Sequence, residues 1–252
     1  MIDLSNQVAV VTGGSRGIGA ATAEMFSQVG ANVAIIYRKD ADSAAKVIRK
    51  IEKYGRTGIA IKGNIENYAD CKSIVKTVIK KFNRIDILVN CAGIWEYGEI
   101  GKITEKDWQR TIDINLTGTF NMCKVIVPIM KRQKYGRIIN ISSTAGQRGE
   151  AFHSHYAASK SGVIAFTKSL GPELIKDRIW VNCVAPGWVD TDMVADELKN
   201  PKSKKEISQI IPRGKIGKPE EIAGPIIFLA SHLADHIVGE IINVNGGSVL
   251  CG

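Results

Sequence analysis

The sequence predicts an α/β fold in which a doubly wound parallel sheet of about seven strands carries helices on both faces. Short apolar segments alternate along the 252 residues with longer segments of helical periodicity. The apolar segments show little polar alternation, which is typical of strands that are covered on both faces in parallel sheets. Strict alternation of strands and helices favours right-handed crossovers, and therefore a doubly wound sheet.

The same patterns place the individual elements. Strands are expected at 7–12, 32–37, 58–62, 85–90, 136–142, 179–185 and 240–245. Helices are expected at 18–29, 41–54, 68–82, 108–132, 155–175 and 220–231. No linker rich in Pro, Gly or Ser divides the chain, so we expect one domain over 1–252. The polar stretch 187–217 has no clear strand, and we expect it to be a substrate lid.

Composition limits the classes of partner. Lys and Arg number 34 against 25 Asp and Glu, which gives a net charge of +9. Most of these lysines have helical spacing and are expected on solvated helix faces. The loop cluster of Lys199, Lys202, Lys204 and Lys205 has no interleaved aromatic residues, so we expect no nucleic-acid partner. No apolar run approaches the roughly 18 residues of a membrane span, so no membrane partner is expected.

Cysteine usage indicates a reducing compartment. The five cysteines form no C-x-x-C pair, and their count is odd, so we expect no disulfide framework. The N-terminus lacks the pattern of a signal peptide, and the expected location is the cytoplasm. His232 and His236 are four residues apart but have no Glu between them, so we expect no metal site.

A glycine-rich turn at 12–19 lies between the first strand and the first helix. Its glycines allow close backbone approach to a pyrophosphate, and the helix N-terminus favours the negative charge. The second strand ends in Tyr37 and Arg38 with no acid at its tip. Arg16 and Arg38 could both face a 2′-phosphate, so NADP(H) is preferred over NAD(H). The alternative is that both arginines are solvated surface groups.

Tyr156 and Lys160 are four residues apart in a predicted helix and therefore share one face. Tyrosine has a pKa near 10 and is a poor acid–base group at neutral pH. A neighbouring ammonium stabilises the phenolate and lowers that pKa, so the pair can exchange a proton with a substrate.

With these motifs the chain resembles the short-chain dehydrogenase/reductase family over essentially its whole length. The resemblance rests on ordered motifs, namely Gly13, Gly17 and Gly19 in the turn, 90–93, Asn115, Ser143, 156–160, Pro186-Gly187 with Thr191, and 245–247. It implies a Rossmann-type fold, a homotetramer and hydride transfer by a nicotinamide cofactor. Cys91 stands where the family usually has a second Asn, and we expect it to be buried as a small apolar group.

The resemblance also implies residue roles. Tyr156 is the general acid or base, and Lys160 lowers its pKa and binds the nicotinamide ribose. Ser143 holds the substrate carbonyl oxygen, and Asn115 supports a water that links Lys160 to solvent. The expected cofactor-binding residues are Gly13, Ser15, Arg16, Gly17, Ile18, Gly19, Tyr37, Arg38, Asn64, Ile65, Asn90, Ala92, Gly93, Tyr156, Lys160, Pro186, Gly187, Val189 and Thr191.

The expected reaction reduces a ketone or oxidises a secondary alcohol. The alternatives are a dedicated 3-oxoacyl-(acyl carrier protein) reductase, which takes an acyl thioester from an acyl carrier protein, and a cofactor-sensing scaffold without turnover. Trp95, Phe152, His153 and Trp188 are candidates to line the substrate pocket. The two histidines at 153 and 155 either line that pocket or cap the following helix.

Overall fold

The structure is a computed structural model that describes residues 2–250. A single sheet of seven parallel strands has the order β3-β2-β1-β4-β5-β6-β7. The strands are β1 (Val8–Thr12), β2 (Asn32–Tyr37), β3 (Gly58–Lys62), β4 (Ile87–Asn90), β5 (Gly136–Ile141), β6 (Ile179–Pro186) and β7 (Ile241–Val244). The predicted fold class, a Rossmann-type doubly wound sheet, is confirmed.

Ten α-helices accompany the strands within the described residues. They are α1 (Gly17–Gln28), α2 (Ala41–Lys53), α3 (Tyr68–Phe82), α4 (Glu105–Ile112), α5 (Gly118–Gln133), α6 (Thr144–Arg148), α7 (Ser154–Leu174), α8 (Ala195–Lys199), α9 (Pro201–Ile210) and α10 (Pro219–Leu229). Short 3-10 turns follow α7, precede α8 and follow α10.

Successive residues of β1 supply two separate cores, one on each face of the sheet. Ala9 and Val11 pack in the core that contains α1, α2 and α10 side chains. Val8 and Val10 pack in the core that contains α3 and α5 side chains. Because side chains of a strand alternate between faces, both faces need apolar residues, and the strands read as continuous apolar runs.

The strand order reverses at β1: β2 and β3 are added on one side of β1, and β4 to β7 are added on the other side. β1 pairs with β2 on one side and with β4 on the other. The Thr12 hydroxyl at the end of β1 accepts hydrogen bonds from the amides of Cys91 (3.0 Å) and Ala92 (3.1 Å), just beyond β4. In open α/β sheets, ligands bind in the crevice at such a reversal.

The predicted helix at 108–132 is interrupted. The helical region begins earlier, at Glu105, where the Thr104 hydroxyl accepts a hydrogen bond from the amide of Asp107. A π-helical turn over Asp113–Thr117 then separates α4 from α5. Sequence periodicity cannot distinguish such a turn from continuous α-helix, because it adds only a local shift in register.

The stretch 187–217 is largely helical, although the sequence indicated only an irregular element. Its base is closed by a parallel bridge between Val189 and Gly217. Inside it, α8 and α9 enclose a small core of Leu198, Ile207 and Ile211. Trp188 packs against this core from the side of the main domain.

Three further findings concern residues 2–250. No helix there is long and apolar enough to cross a membrane. No three His, Cys, Asp or Glu side chains are grouped as metal ligands would be. Cys71, Cys91, Cys123 and Cys183 are free thiols, while Cys251 lies outside the described residues. Cys91 is half-buried rather than buried, because it lines the cleft described next.

Candidate active site

An open cleft lies at the carboxyl ends of the central strands. It brings together many of the predicted site residues, namely Ile18, Gly93, Trp95, Ser143, Tyr156, Lys160, Pro186, Gly187, Trp188, Val189 and Thr191. These come from the first turn, the β4 end, the β5 end, α7 and the β6 end, so the parallel sheet gathers distant sequence positions at one edge.

Tyr156 lies in the first turn of α7 and is almost fully buried. Burial raises the pKa of Tyr156 to about 12, and a hydrogen bond with the Ser143 side chain partly opposes that rise. The direction is opposite to the lowering expected from Lys160. Ser143 also accepts a hydrogen bond from the Ala145 amide at 3.1 Å and thereby caps α6. The short helix α6, which the sequence did not reveal, fixes the Ser143 hydroxyl next to Tyr156.

Lys160 lies one helical turn after Tyr156 and is also buried. Its ammonium is 5.9 Å from the centre of the Tyr156 ring and donates a 2.8 Å hydrogen bond to the Ile141 carbonyl. Burial lowers the pKa of Lys160. The Ser142 hydroxyl donates to the Lys160 carbonyl at 2.9 Å, so this serine joins α7 to β5 and leaves Ser143 as the one beside Tyr156.

Asn115 lies in the π-helical turn and holds the segment after β4. Its side-chain oxygen accepts from the Ile94 amide at 2.8 Å. Its side-chain nitrogen donates to the Ile94 carbonyl and to the Ser159 hydroxyl, both at 3.0 Å. A β-carbon at Gly93 would lie 3.2 Å from the Asn115 oxygen and 3.4 Å from the Lys160 ammonium, so these three residues meet at the cleft floor.

The glycine turn has the shape of a dinucleotide cradle. Gly13 and Gly17 have φ values of 64° and 52°, the left-handed region that favours glycine. A β-carbon at Gly13 would lie 2.9 Å from the Ala92 backbone, and one at Gly19 would collide with the Gly13 carbonyl. Because these glycines have no side chains, the backbones of β1, the turn and α1 can approach one another closely. The N-terminus of α1 then faces the crevice. This arrangement fits a pyrophosphate.

Both arginines proposed for a 2′-phosphate have acidic neighbours. The Arg38 guanidinium forms an ion pair with Glu66, just after β3, and is half-exposed. The Arg16 guanidinium lies 3.8 Å from the Asp192 carboxylate, and both side chains are largely exposed. Ser15 lies between Gly13 and Gly17 in the turn, and its contact with a cofactor stays a prediction.

Several predicted cofactor residues have side chains engaged elsewhere. Asn90 is buried, and its amide donates to the Asn140 oxygen at 2.9 Å, joining β4 to β5. Ile65 is buried in the core beneath α5. Asn64 accepts from the Glu66 amide at 3.3 Å, and Tyr37 packs against the core. These residues lie at or just after the ends of β2, β3 and β4, and their contact with a cofactor stays a prediction.

The opposite wall of the cleft is aromatic. Trp95 stacks on His153 with ring centres 4.3 Å apart and planes 4° apart, and it meets Trp188 edge-on at 5.7 Å. The Trp95 indole nitrogen donates to the Glu150 carboxylate at 3.3 Å. His153 precedes α7 but makes no side-chain cap there, and its buried ring supports Trp95 without lining the cleft itself. Glu150 was not anticipated, because no sequence pattern joins it to Trp95.

Comparisons with known proteins identify the family of this chain. The family model described as enoyl-(acyl carrier protein) reductase matches residues 13–248. A 3-oxoacyl-[acyl-carrier-protein] reductase of Synechocystis sp. is 43% identical over 99% of this chain and 100% of its own length. The enzyme of that name from Thermotoga maritima is 38% identical over 98% of this chain and 99% of its own length.

Solved structures give the same result. A chain from Sinorhizobium meliloti described as a short-chain alcohol dehydrogenase superimposes with a TM-score of 0.94. It is 32% identical, and the match covers 98% of each chain. The cleft, the sheet order and these relatives together show that the chain belongs to the short-chain dehydrogenase/reductase family of NAD(P)-dependent oxidoreductases.

Proposed function

We propose that this chain catalyses reversible, NADP(H)-dependent reduction of a ketone to a secondary alcohol, with Tyr156 as the general acid or base. One observation carries the proposal: the Ser143 hydroxyl, the Tyr156 phenol and the Lys160 ammonium converge on one cleft beside the glycine turn. When bound, the dinucleotide supplies or accepts the hydride.

The protein's residues handle the proton and the orientation. Ser143 donates a hydrogen bond to the carbonyl oxygen, and Tyr156 delivers a proton to the same oxygen. Because Tyr156 is buried and protonated at neutral pH, it serves as an acid without rearrangement. Lys160 stabilises the phenolate that remains. Asn115 holds Gly93 and Ile94 at the floor, and its support of a relay water stays a prediction.

Cofactor binding is proposed at the glycine turn and at the residues that follow β6. The turn from Gly13 to Gly19 would hold the pyrophosphate, while Val189 and Thr191 would contact the carboxamide. NADP(H) is preferred because Arg38 directly follows β2 and Arg16 lies in the glycine turn, and a guanidinium suits a phosphate. Arg38 must then interact with both Glu66 and that phosphate.

The substrate is a ketone or a secondary alcohol. A dedicated 3-oxoacyl thioester reductase is the second candidate, since the relatives carry that name and the chain is basic enough to attract an acidic carrier protein.

We further propose that the protein is a cytoplasmic homotetramer. Each subunit is a single domain in which the stretch 187–217 forms the lid. Exposed Phe120, on α5, supports an interface there.

The test is a panel of ketones, 3-oxoacyl thioesters and an acyl-carrier-protein thioester, each with NADPH and NADH. Consumption of NADPH with simple ketones supports the proposal, and a strong preference for the carrier-bound thioester supports the second candidate. Binding of NADPH without turnover of any member would instead support the cofactor-sensing scaffold. Light scattering gives the subunit number independently.

A further inference from the structure

Five aromatic rings form a continuous row from the cleft to the protein surface, and we call this row the aromatic ladder. From the inside outward it consists of Trp188, Trp95, His153, Tyr97 and Phe152. Centre-to-centre distances between successive rings are 5.7, 4.3, 6.0 and 5.6 Å, and edge-on contacts alternate with stacked ones. Both geometries are those in which aromatic rings attract.

The inner end of the ladder lies against the reacting group. Trp95 lines the cleft and packs against the small cluster that contains Tyr156 and Ala145. Its hydrogen bond to Glu150 and its stacking on His153 fix the plane of the indole. Any molecule that places a carbonyl at Tyr156 therefore meets an oriented aromatic surface.

The outer end of the ladder is exposed. Tyr97 is 67% exposed and Phe152 is 55% exposed, so neither ring is required to fill the core. Neither ring lines the cleft itself, but an exposed apolar patch is typical of a surface that a ligand covers. The buried His153 ring thus connects the cleft-lining Trp95 with an exposed pair of rings outside the cleft.

The backbone at the outer end adopts a costly conformation to hold these rings. Phe152 has φ of +61°, in the left-handed region that bulky residues avoid. The Phe152 carbonyl accepts a 2.7 Å hydrogen bond from the Gly98 amide, and Gly98 forms a parallel bridge with His153. Two loops distant in sequence are joined here, and such strain concentrates at functional sites.

We propose that the aromatic ladder is a substrate-recognition surface that selects carbonyl compounds with a flat, fused aromatic ring system. The carbonyl lies at Ser143 and Tyr156, a ring system packs against Trp95, and larger ring systems extend over Tyr97 and Phe152. The reaction at the carbonyl rests on the proposed function, but the binding preference does not.

Equilibrium dialysis of the full chain against two ketones tests the binding preference. The first is 2-acetylnaphthalene, and the second is its saturated analogue 2-acetyldecalin, which has the same carbon skeleton but is not flat. Hydrophobic transfer alone favours the saturated ketone, so preference for the naphthyl ketone reports ring contacts. We expect the naphthyl ketone to bind about five- to tenfold more tightly, as one or two aromatic pairs would give.

The variants locate the effect. Trp95→Leu is expected to reduce the ratio of the two dissociation constants below about twofold, and Trp95→Phe to retain most of it. The matched control is Trp108→Leu on α4, a half-exposed tryptophan outside the ladder, which should keep the wild-type ratio. If Trp95→Leu fails to fold, Tyr97→Ser should weaken binding of 2-acetylanthracene about threefold relative to the naphthyl ketone.

Equal binding of the naphthyl and decalyl ketones by the wild type would overturn the proposal, and so would an equal loss of preference in Trp108→Leu. Turnover is scored separately by NADPH consumption. Absence of turnover with both ketones would exclude them as substrates and leave the proposed function to the substrate panel, and the binding ratio alone would then decide whether the ladder recognises flat rings. Turnover of both ketones with equal dissociation constants would overturn the proposed role of the ladder but not the proposed function.

Discussion

The two ends of the crevice are built differently. At the reacting end, Tyr156 and Lys160 are buried, and Lys160 is held by a hydrogen bond to the chain's own backbone. At the other end, where we propose that the adenosine binds, Arg38 and Arg16 are exposed and face acidic side chains. The buried end is set by packing that tolerates little change, whereas the exposed end depends on charges that compete with one another. Chemistry should therefore depend on the first end and cofactor choice on the second.

The largest effect is expected at the reacting end. Tyr156→Phe removes only the hydroxyl that donates the proton, so kcat/KM for ketone reduction should fall about 10³-fold. NADPH binding, measured by fluorescence titration, should change little. Circular dichroism checks that the variant is folded. Ketone reduction at the original rate by this variant would exclude Tyr156 as the acid.

The pH dependence of alcohol oxidation tests the role of Lys160. Burial places the pKa of Tyr156 at about 12, so the base form is scarce at neutral pH and oxidation should rise with pH. Reduction uses the protonated form and should not rise. Lys160→Met removes a positive charge, which should move the oxidation midpoint to higher pH and reduce the neutral-pH rate about 10- to 100-fold. The same midpoint in the variant and the wild type would contradict this role.

A smaller, selective effect is expected at the adenosine end. Arg38→Asp should lower the NADPH-to-NADH ratio of kcat/KM about 10- to 100-fold, because a carboxylate repels the 2′-phosphate. Glu66→Gln should raise the ratio about threefold, since Arg38 loses its competing partner. Lys80→Asp on α3 makes the same charge change as Arg38→Asp at a distant exposed site and serves as the control. An unchanged ratio in Arg38→Asp would mean that another residue reads the phosphate.

The smallest effect concerns stability. His155 is fully buried, and neither ring nitrogen has a hydrogen-bond partner within residues 2–250. Burial lowers the pKa of His155, and the nearby His153 lowers it further, while Glu96 and Asp107 oppose the shift. The unfolded chain therefore takes up a proton more readily, and stability should fall as the pH drops below about 6.5.

Thermal unfolding between about pH 7.5 and about pH 5.5 measures this dependence. The midpoint of the wild type should fall by about 2 °C more than that of His155→Leu, in which the imidazole is replaced by an apolar side chain. Parallel curves for the two proteins would show that His155 does not contribute.

The sheet was predictable because strands covered on both faces must be apolar throughout, and all seven were found. The pairing of Tyr156 with Lys160 was predictable from their four-residue spacing on one helix, and the family resemblance implied that Ser143 lies beside them. The geometry places the three residues together, and their roles stay predictions until the variants are measured.

The remaining features depend on contacts between distant residues. The five-residue helix α6 has no apolar periodicity long enough to reveal it. The pairing of Arg38 with Glu66 crosses between two strand ends, and the stacking of Trp95 on His153 joins loops 58 residues apart in sequence. For the same reason the sequence suggested a lower pKa for Tyr156, because the degree of burial was not visible in it.

The most direct test of the division between the two ends measures kcat/KM with NADPH and with NADH for the wild type, Tyr156→Phe and Arg38→Asp in one ketone assay. Tyr156→Phe should lower both values by the same large factor and leave their ratio unchanged. Arg38→Asp should lower the NADPH value selectively and shift the ratio toward NADH. A change of the ratio in Tyr156→Phe, or an equal loss with both cofactors in Arg38→Asp, would contradict the division.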